Sequence, residues 1–252
     1  MNKEKWEKTL RSFREMRLPI MAEQIHIMIE NNELTNLTIE DVLIRISDEE
    51  LNSRRNNTIN RLKKKSKLSQ KHARLEEIDY RPERHINRSV IEQLITNDYI
   101  VKHRNVLLLG ACGTGKSYIA NALGNHSCES FYSTYYCRLF EYLNECHLAR
   151  LHVGSSEEII KKYLKYEVLI IDDFLISELM SEEANNLFKL IEYRHNSKST
   201  IICSQLEPQE WHSKLGGSIL AESILDRIIS NAYKLILDGE SMRKNQVSID
   251  IT

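Results

Sequence analysis

Apolar positions recur along the chain with two different rhythms. Over residues 3–17, Trp6, Leu10 and Phe13, then Arg17-Leu18, return every three to four positions, the spacing that lines one face of an α-helix. Pro19 interrupts this helix, since its ring removes an N–H and crowds the preceding turn. Ile20 to Ile29 reads as a second amphipathic segment. A third helix is expected to begin at Thr38-Ile39-Glu40-Asp41, where a hydroxyl followed three residues later by an acid can cap the first turn. Ile39, Val42, Leu43 and Ile46 fall on its apolar face, and it either continues past Leu51 or restarts beyond it. Residues 1–75 are thus expected to form a small all-helical module. Residues 76–104 read as a connector, marked by Asp79-Tyr80-Arg81-Pro82-Glu83-Arg84 and by a short helix over Ser89–Asp98 that could cover the base of a nucleotide.

From Asn105 the rhythm changes. Short apolar runs over 105–109, 132–137, 167–172, 199–204 and 233–237 read as strands. Helical periodicity fills 116–127, 138–152, 156–165, 181–196 and 219–230 between and after them. Strands alternating with helices at this spacing predict an α/β fold, a parallel five-stranded sheet between helices, over residues 105–252.

One junction carries chemistry. Leu107-Leu108-Leu109 runs into Gly110-Ala111-Cys112-Gly113-Thr114-Gly115-Lys116-Ser117, and Tyr118 continues into a helix. Strand, G-x-x-x-x-G-K-S and helix is the context of a phosphate-binding loop. Its backbone N–H groups and the helix N-terminus favour bound phosphate. Lys116 would reach the β- and γ-phosphates, and Ser117 would hold magnesium (Mg²⁺). A second apolar run, Val168 to Ile171, ends in Asp172-Asp173, and ligands of such sheets sit at the carboxyl ends of strands. Asp172 is then a second Mg²⁺ ligand, and Asp173 the group that polarises an attacking water. The strand ending Cys203-Ser204-Gln205 offers polar groups for the γ-phosphate.

Composition narrows the class. Hydrophobic content is 41% and charged content 28%, and no apolar run reaches 18 residues, so no membrane span is expected. The first residues lack an apolar signal core, which leads to a cytoplasmic expectation. Five cysteines without a C-x-x-C pair suggest buried thiols rather than a zinc site or disulfides. The net charge of −1 conceals a basic block. Arg54, Arg55, Arg61, Lys63, Lys64, Lys65, Lys67, Lys71 and Arg74 occur between Ser53 and Leu75 without one acidic residue. The block holds no aromatic residue, so base stacking is not expected there. Phosphate contacts to duplex DNA are, sequence-tolerant and salt-dependent.

The order phosphate loop, acid pair, polar strand end and Ile224-Leu225-Asp226-Arg227 resembles an AAA+ ATPase. More narrowly, the chain resembles the IstB-like ATP-binding helpers of IS21 transposons. The likeness includes Met16 to Glu23, Ile78-Asp79-Tyr80, His103 to Leu108, Thr200 to Gln205 with Trp211-His212, and the closing Gly239-Glu240-Ser241-Met242-Arg243-Lys244. It implies ATP binding, multimers assembled on DNA with ATP sites at subunit interfaces, and delivery of target DNA to a transposase that is stimulated in turn. It also assigns roles. Gly110, Gly113, Gly115, Lys116 and Ser117 are the first nucleotide motif, and Asp172 and Asp173 the second. Ser204 is a sensor, Arg227 an arginine reaching a neighbour's ATP, and Arg243 a second sensor. Where the family usually has glycine two residues after the second acid, this chain has Leu175.

Only 25 residues follow Arg227, too few for a full C-terminal helical lid built of ordinary helices. The nucleotide is then expected to be closed by a neighbouring subunit, with hydrolysis slow until assembly on DNA. A replicative helicase loader of the same class and a DNA scaffold that binds ATP without hydrolysing it are the alternatives. A small-molecule kinase would need an acceptor site that the sequence does not display.

Overall fold

The leading helices follow the apolar periodicity of their sequences: α1 (Lys3–Glu15), α2 (Pro19–Glu30) and α3 (Ile39–Lys65). The computed structural model describes residues 3–242, which divide into two compact units between Arg61 and Leu62. In the first unit Leu10, Ala22, Ile25, Met28 and Ile46 form the buried centre, with Trp6, Phe13 and Val42 packed around it. Thr38 and Asp41 cap α3 reciprocally, in keeping with their spacing: the Asp41 N–H donates to Thr38 Oγ1 at 3.1 Å and the Thr38 N–H to Asp41 Oδ2 at 3.0 Å.

The expected apolar face of α3 is only half right. Val42 and Ile46 turn inward, whereas Ile39 and Leu43 are exposed. The inward row continues four residues later to Glu50, which is buried. Its carboxylate accepts the Ile20 and Met21 N–H groups at 3.0 and 3.3 Å. Leu18, at the N-cap of α2, has no side-chain acceptor to do this. Glu50 therefore supplies the cap from another helix and meets the positive end of the α2 dipole.

The second unit is built on a five-stranded sheet. The strands are β1 (Val106–Leu109), β2 (Thr134–Arg138), β3 (Val168–Asp172), β4 (Ser199–Ser204) and β5 (Tyr233–Ile236). They lie in the order β2-β3-β4-β1-β5, with every pairing parallel. A parallel sheet is covered on both faces, and side chains alternate accordingly. Val106 and Leu108 join one core with Ile170 and Ile201, while Leu107 and Leu109 join the other with Ile171 and Ile202. The first core is closed by α4 (Arg88–Ile95) and α6 (Lys116–Glu129). The opposite core is closed by α7 (Leu139–Val153), α8 (Glu157–Leu164), α9 (Ser181–Arg194) and α11 (Ile219–Ile229).

Three features depart from the sequence reading. The helical module is expected to end at 75, but Leu68, Ala73, Leu75 and Ile78 are anchored in the core of the second unit. Asn121 and Asn125 on α6 hold the backbone of Gln70 and Ala73. The helix expected over 89–98 stops at Ile95 and restarts as α5 (Asp98–Val101), because Asn97 adopts a left-handed φ of 60°. A further helix, α10 (Pro208–Lys214), opens on a proline in its first turn and buries Trp211.

Beneath the sheet lies Arg194, fully buried and, among the described residues, held by neutral acceptors. Its Nε donates to Thr200 Oγ1, and its terminal nitrogens donate to the carbonyls of Tyr163, Tyr166, Glu167 and Ser199. Burial lowers its pKa to about 9, so it stays charged at neutral pH and staples α9 to the starts of β3 and β4.

Candidate nucleotide-binding site

The loop between β1 and α6 forms where the sequence placed it. Gly110, Gly113 and Gly115 have φ of 141°, 84° and 96°, conformations that residues with a Cβ rarely take. Gly110 is also needed for space, since a Cβ there would overlap the Leu237 carbonyl oxygen. Lys116 and Ser117 open α6, so their N–H groups have no partner one turn back.

A cavity of about 590 Å³ lies over this loop, within the range of small-molecule sites. Cys112, Gly113, Gly115, Lys116, Ser117 and Tyr118 line one side, and Asp172 and Asp173 another. The structure thus brings both sequence motifs to one cavity. Lys116 is buried, and its Nζ donates to the Gly110 and Ala111 carbonyls at 2.6 and 2.7 Å. Burial lowers its pKa, opposed by Cys203, Cys112, Asp172 and Asp173 nearby. A polyphosphate would restore the charge partner that burial denies it.

The acid pair is held from β2. Asp172 is buried and accepts a hydrogen bond from the Tyr136 hydroxyl at 2.7 Å and one from the Asp173 N–H at 2.9 Å. Burial, followed by the Asp172 charge, raises the Tyr136 pKa far above its ordinary value, so the phenol remains a donor. Arg138, two residues along β2, lies 3.4 Å from the Asp173 carboxylate. Asp173 and Leu175 have φ of 54° and 57°. Leu175, the position where the resemblance implies a glycine, thus takes a left-handed conformation. The Leu175 side chain is buried in the opposite core beside Phe174, which offsets a backbone cost of about 1–2 kcal/mol.

Other expected positions fall elsewhere. Ser204 is buried away from the cavity. Its hydroxyl donates to the Phe174 carbonyl at 2.9 Å and accepts from Trp211 Nε1 at 3.2 Å. Alternation along β4 explains this: Cys203 and Gln205 share the cavity side and line it. Arg227 is not among the lining residues. It pairs with Glu192, donates to the Ser223 carbonyl at 2.9 Å and sits over the Phe188 ring. Arg243 lies outside the described residues. Gln70, Glu77, Ile78 and Asp79 also line the cavity, and no residue of α4, the helix expected to cover a base, is among the lining residues.

The basic block is not one helical face. Arg54, Arg55 and Arg61 belong to the first unit and the other six to the second. Arg54 is tied to Glu50 and to the Arg17 carbonyl. Lys63 meets Glu129 at 2.6 Å, and Lys67 lies over the Tyr135 ring. Arg55, Arg61, Lys64, Lys65, Lys71 and Arg74 are exposed. Cys112 is exposed, while Cys128, Cys137, Cys146 and Cys203 are buried thiols. Among the described residues no helix is long and apolar enough to cross a membrane.

A parallel sheet in this strand order, with a phosphate loop after β1 and an acid pair closing β3, defines an AAA+ P-loop nucleotide-binding fold. Two solved structures share it. The DnaC helicase loader has a TM-score of 0.53 at 18% identity and covers 66% of this chain and 97% of its own. AMPPCP-bound DnaA from Aquifex aeolicus has a TM-score of 0.55 at 19% identity, covering 72% and 56%. Identities this low speak for the fold alone. The chain belongs to the IstB-like ATP binding protein family, whose model matches residues 11–249. The insertion sequence ATP-binding protein y4uH of Sinorhizobium fredii is 32% identical over 236 residues, 94% of each chain.

Proposed function

We propose that this protein is an ATP-dependent assembly factor for transposition. In this reading it multimerises on duplex DNA, binds ATP between subunits, delivers the target DNA to an IS21-type transposase and stimulates it. The observation that carries the reading is the extent of the family match, which takes in the helical N-terminal unit as well as the ATPase fold. The likeness to a helicase loader is one of fold, so that alternative lacks comparable support.

The cavity suits the chemistry. Its glycine loop can admit phosphates, and a buried lysine and a carboxylate face the same space. Ser117 and Asp172 would hold Mg²⁺, which would offset charge on the β- and γ-phosphate oxygens. Lys116 binds the same phosphates, and Asp173 orients and deprotonates the attacking water. Gln205 takes the polar contact expected of Ser204. Arg227 acts on the ATP of a neighbouring subunit, and Arg243 is proposed as the second sensor. Hydrolysis is slow until subunits assemble. The exposed basic residues at 55–74 contact DNA phosphates without reading sequence.

Electron microscopy of the protein with duplex DNA, with and without ATP, tests this directly. DNA-bound multimers are expected only with ATP, and none with Lys116→Ala. Strand transfer by the cognate transposase should rise in the presence of the multimers. Multimers that leave strand transfer unchanged but recruit a replicative helicase would turn the assignment to a helicase loader.

A further inference from the structure

The phosphate loop is held by groups distant in sequence. The Met242 N–H donates to the Gly113 carbonyl at 3.0 Å, and Arg84 Nη2 donates to the Thr114 carbonyl. Arg84 comes from the stretch that the sequence marked only as a connector. Its side chain is 9% exposed, a degree of burial that a guanidinium tolerates only when paired and hydrogen-bonded. Nη1 lies 3.3 Å from the Asp79 carbonyl and 3.7 Å from the Asp79 carboxylate. The Arg84 backbone is pinned as well, its carbonyl accepting the Asp238 N–H at 3.2 Å. The guanidinium is therefore held from both Asp79 and Thr114, and it borders the cavity.

Its position acts on the loop in two ways. In a planar trans peptide the C=O and the following N–H point in opposite directions. Fixing the Thr114 carbonyl on Arg84 fixes the direction of the Gly115 N–H, one of the donors that such a loop presents to phosphate. Arg84 also sets a second positive charge against the loop. A Cβ at Gly115 would lie 2.7 Å from Nη2, so the glycine makes room for an arginine as well as for a turn.

We propose that Arg84 is a positioning residue for phosphate binding: with Asp79 as its anchor, it orients the Thr114–Gly115 peptide and strengthens the positive field of the loop. This rests on the reading of the cavity as a nucleotide site. The role concerns the polyphosphate and not the nucleoside, which separates it from a general structural role.

The test is competition of ADP and of adenosine against a fluorescent ADP analogue on the full-length protein, for wild type, Arg84→Ala, Arg84→Gln and Arg84→Lys. Loss of one charged hydrogen bond predicts about a tenfold weaker ADP affinity in Arg84→Ala, with adenosine unchanged. Arg84→Lys should recover part of the loss, and Arg84→Gln less, because it lacks the charge. Equal losses for ADP and adenosine, or ADP affinity within about twofold of wild type, would overturn the proposal. Should thermal unfolding show that Arg84→Ala is not folded, the lysine and glutamine variants decide the matter by the same ratio. Wild-type protein that binds no ADP would instead refute the nucleotide site itself.

Discussion

Asp172 shows how far the placement of one carboxylate can depend on a residue from another strand. Its carboxylate is buried, and the Tyr136 hydroxyl fixes one of its oxygens from the next strand. Replacing Tyr136 by Phe keeps the ring and its packing but removes that donor. A support of this kind typically matters by about 10-fold or more in metal affinity. Tyr136→Phe should therefore raise the Mg²⁺ concentration for half-maximal hydrolysis roughly 10-fold, while nucleotide binding measured in EDTA stays near wild type. Parallel loss of both would mean that the phenol supports the pocket as a whole. The sequence shows Tyr136 only as one aromatic residue in a strand, since its partner is 36 positions away. Arg84 is hidden for the same reason, lying 30 positions from the carbonyl it holds. Gly110, Gly113, Gly115, Lys116 and Ser117 are legible because their chemistry is local and their spacing alone encodes it.

At the scale of elements, the strands are legible from their apolar runs, but the side each residue faces is not. Both faces of this parallel sheet are buried, so β4 alternates nothing that distinguishes Ser204 from its neighbours. The strand pattern therefore leaves Ser204 and Gln205 undistinguished, and the family resemblance singles out Ser204, whereas Gln205 lines the cavity. The basic block misleads in a similar way, because its lysines draw attention from Leu68, Ala73 and Leu75, which carry the backbone into the second unit. Glu50 escapes notice because a carboxylate on a helix face ordinarily signals solvent. Burial works to raise its pKa, but the Arg54 hydrogen bond and the Met21 and Ile20 N–H groups prevail, and the net shift is downward from 4.5. A carboxylate with a lowered folded-state pKa stabilises above its ordinary value and loses that contribution as pH falls through the folded value. The N-terminal unit should therefore weaken on acidification below pH 4.5. Glu50→Gln should destabilise it at neutral pH by about 1–2 kcal/mol and flatten the acid dependence. Trp6 fluorescence in a Trp211→Phe background reads this unit alone. Identical acid profiles with and without the Glu50→Gln substitution would remove Glu50 from the account.

For the whole molecule, the decisive question is whether one chain completes its own site. Arg227 is engaged with Glu192 and the Ser223 carbonyl and does not line the cavity beside Lys116. An arginine acting in a neighbour's site must be supplied across a head-to-tail contact, in which each subunit offers a loop to one neighbour and an arginine to the other. Two variants separate these halves. Arg227→Ala keeps an intact loop, so it should bind ATP near normally yet hydrolyse it slowly. Lys116→Ala keeps the arginine but should not bind ATP. Neither alone should approach the wild-type rate, but an equal mixture can restore junctions that pair a good loop with a good arginine. Lys116→Ala subunits form no multimers by themselves and must be carried in by ATP-bound neighbours. Fully random placement would make about a quarter of junctions competent, so the mixture should recover at most about that fraction of the wild-type rate. A single chain that holds its whole site gains nothing from mixing. Activity absent at every ratio, with multimers on DNA confirmed by microscopy, would return Arg227 to the structural role that its pairing with Glu192 already fills.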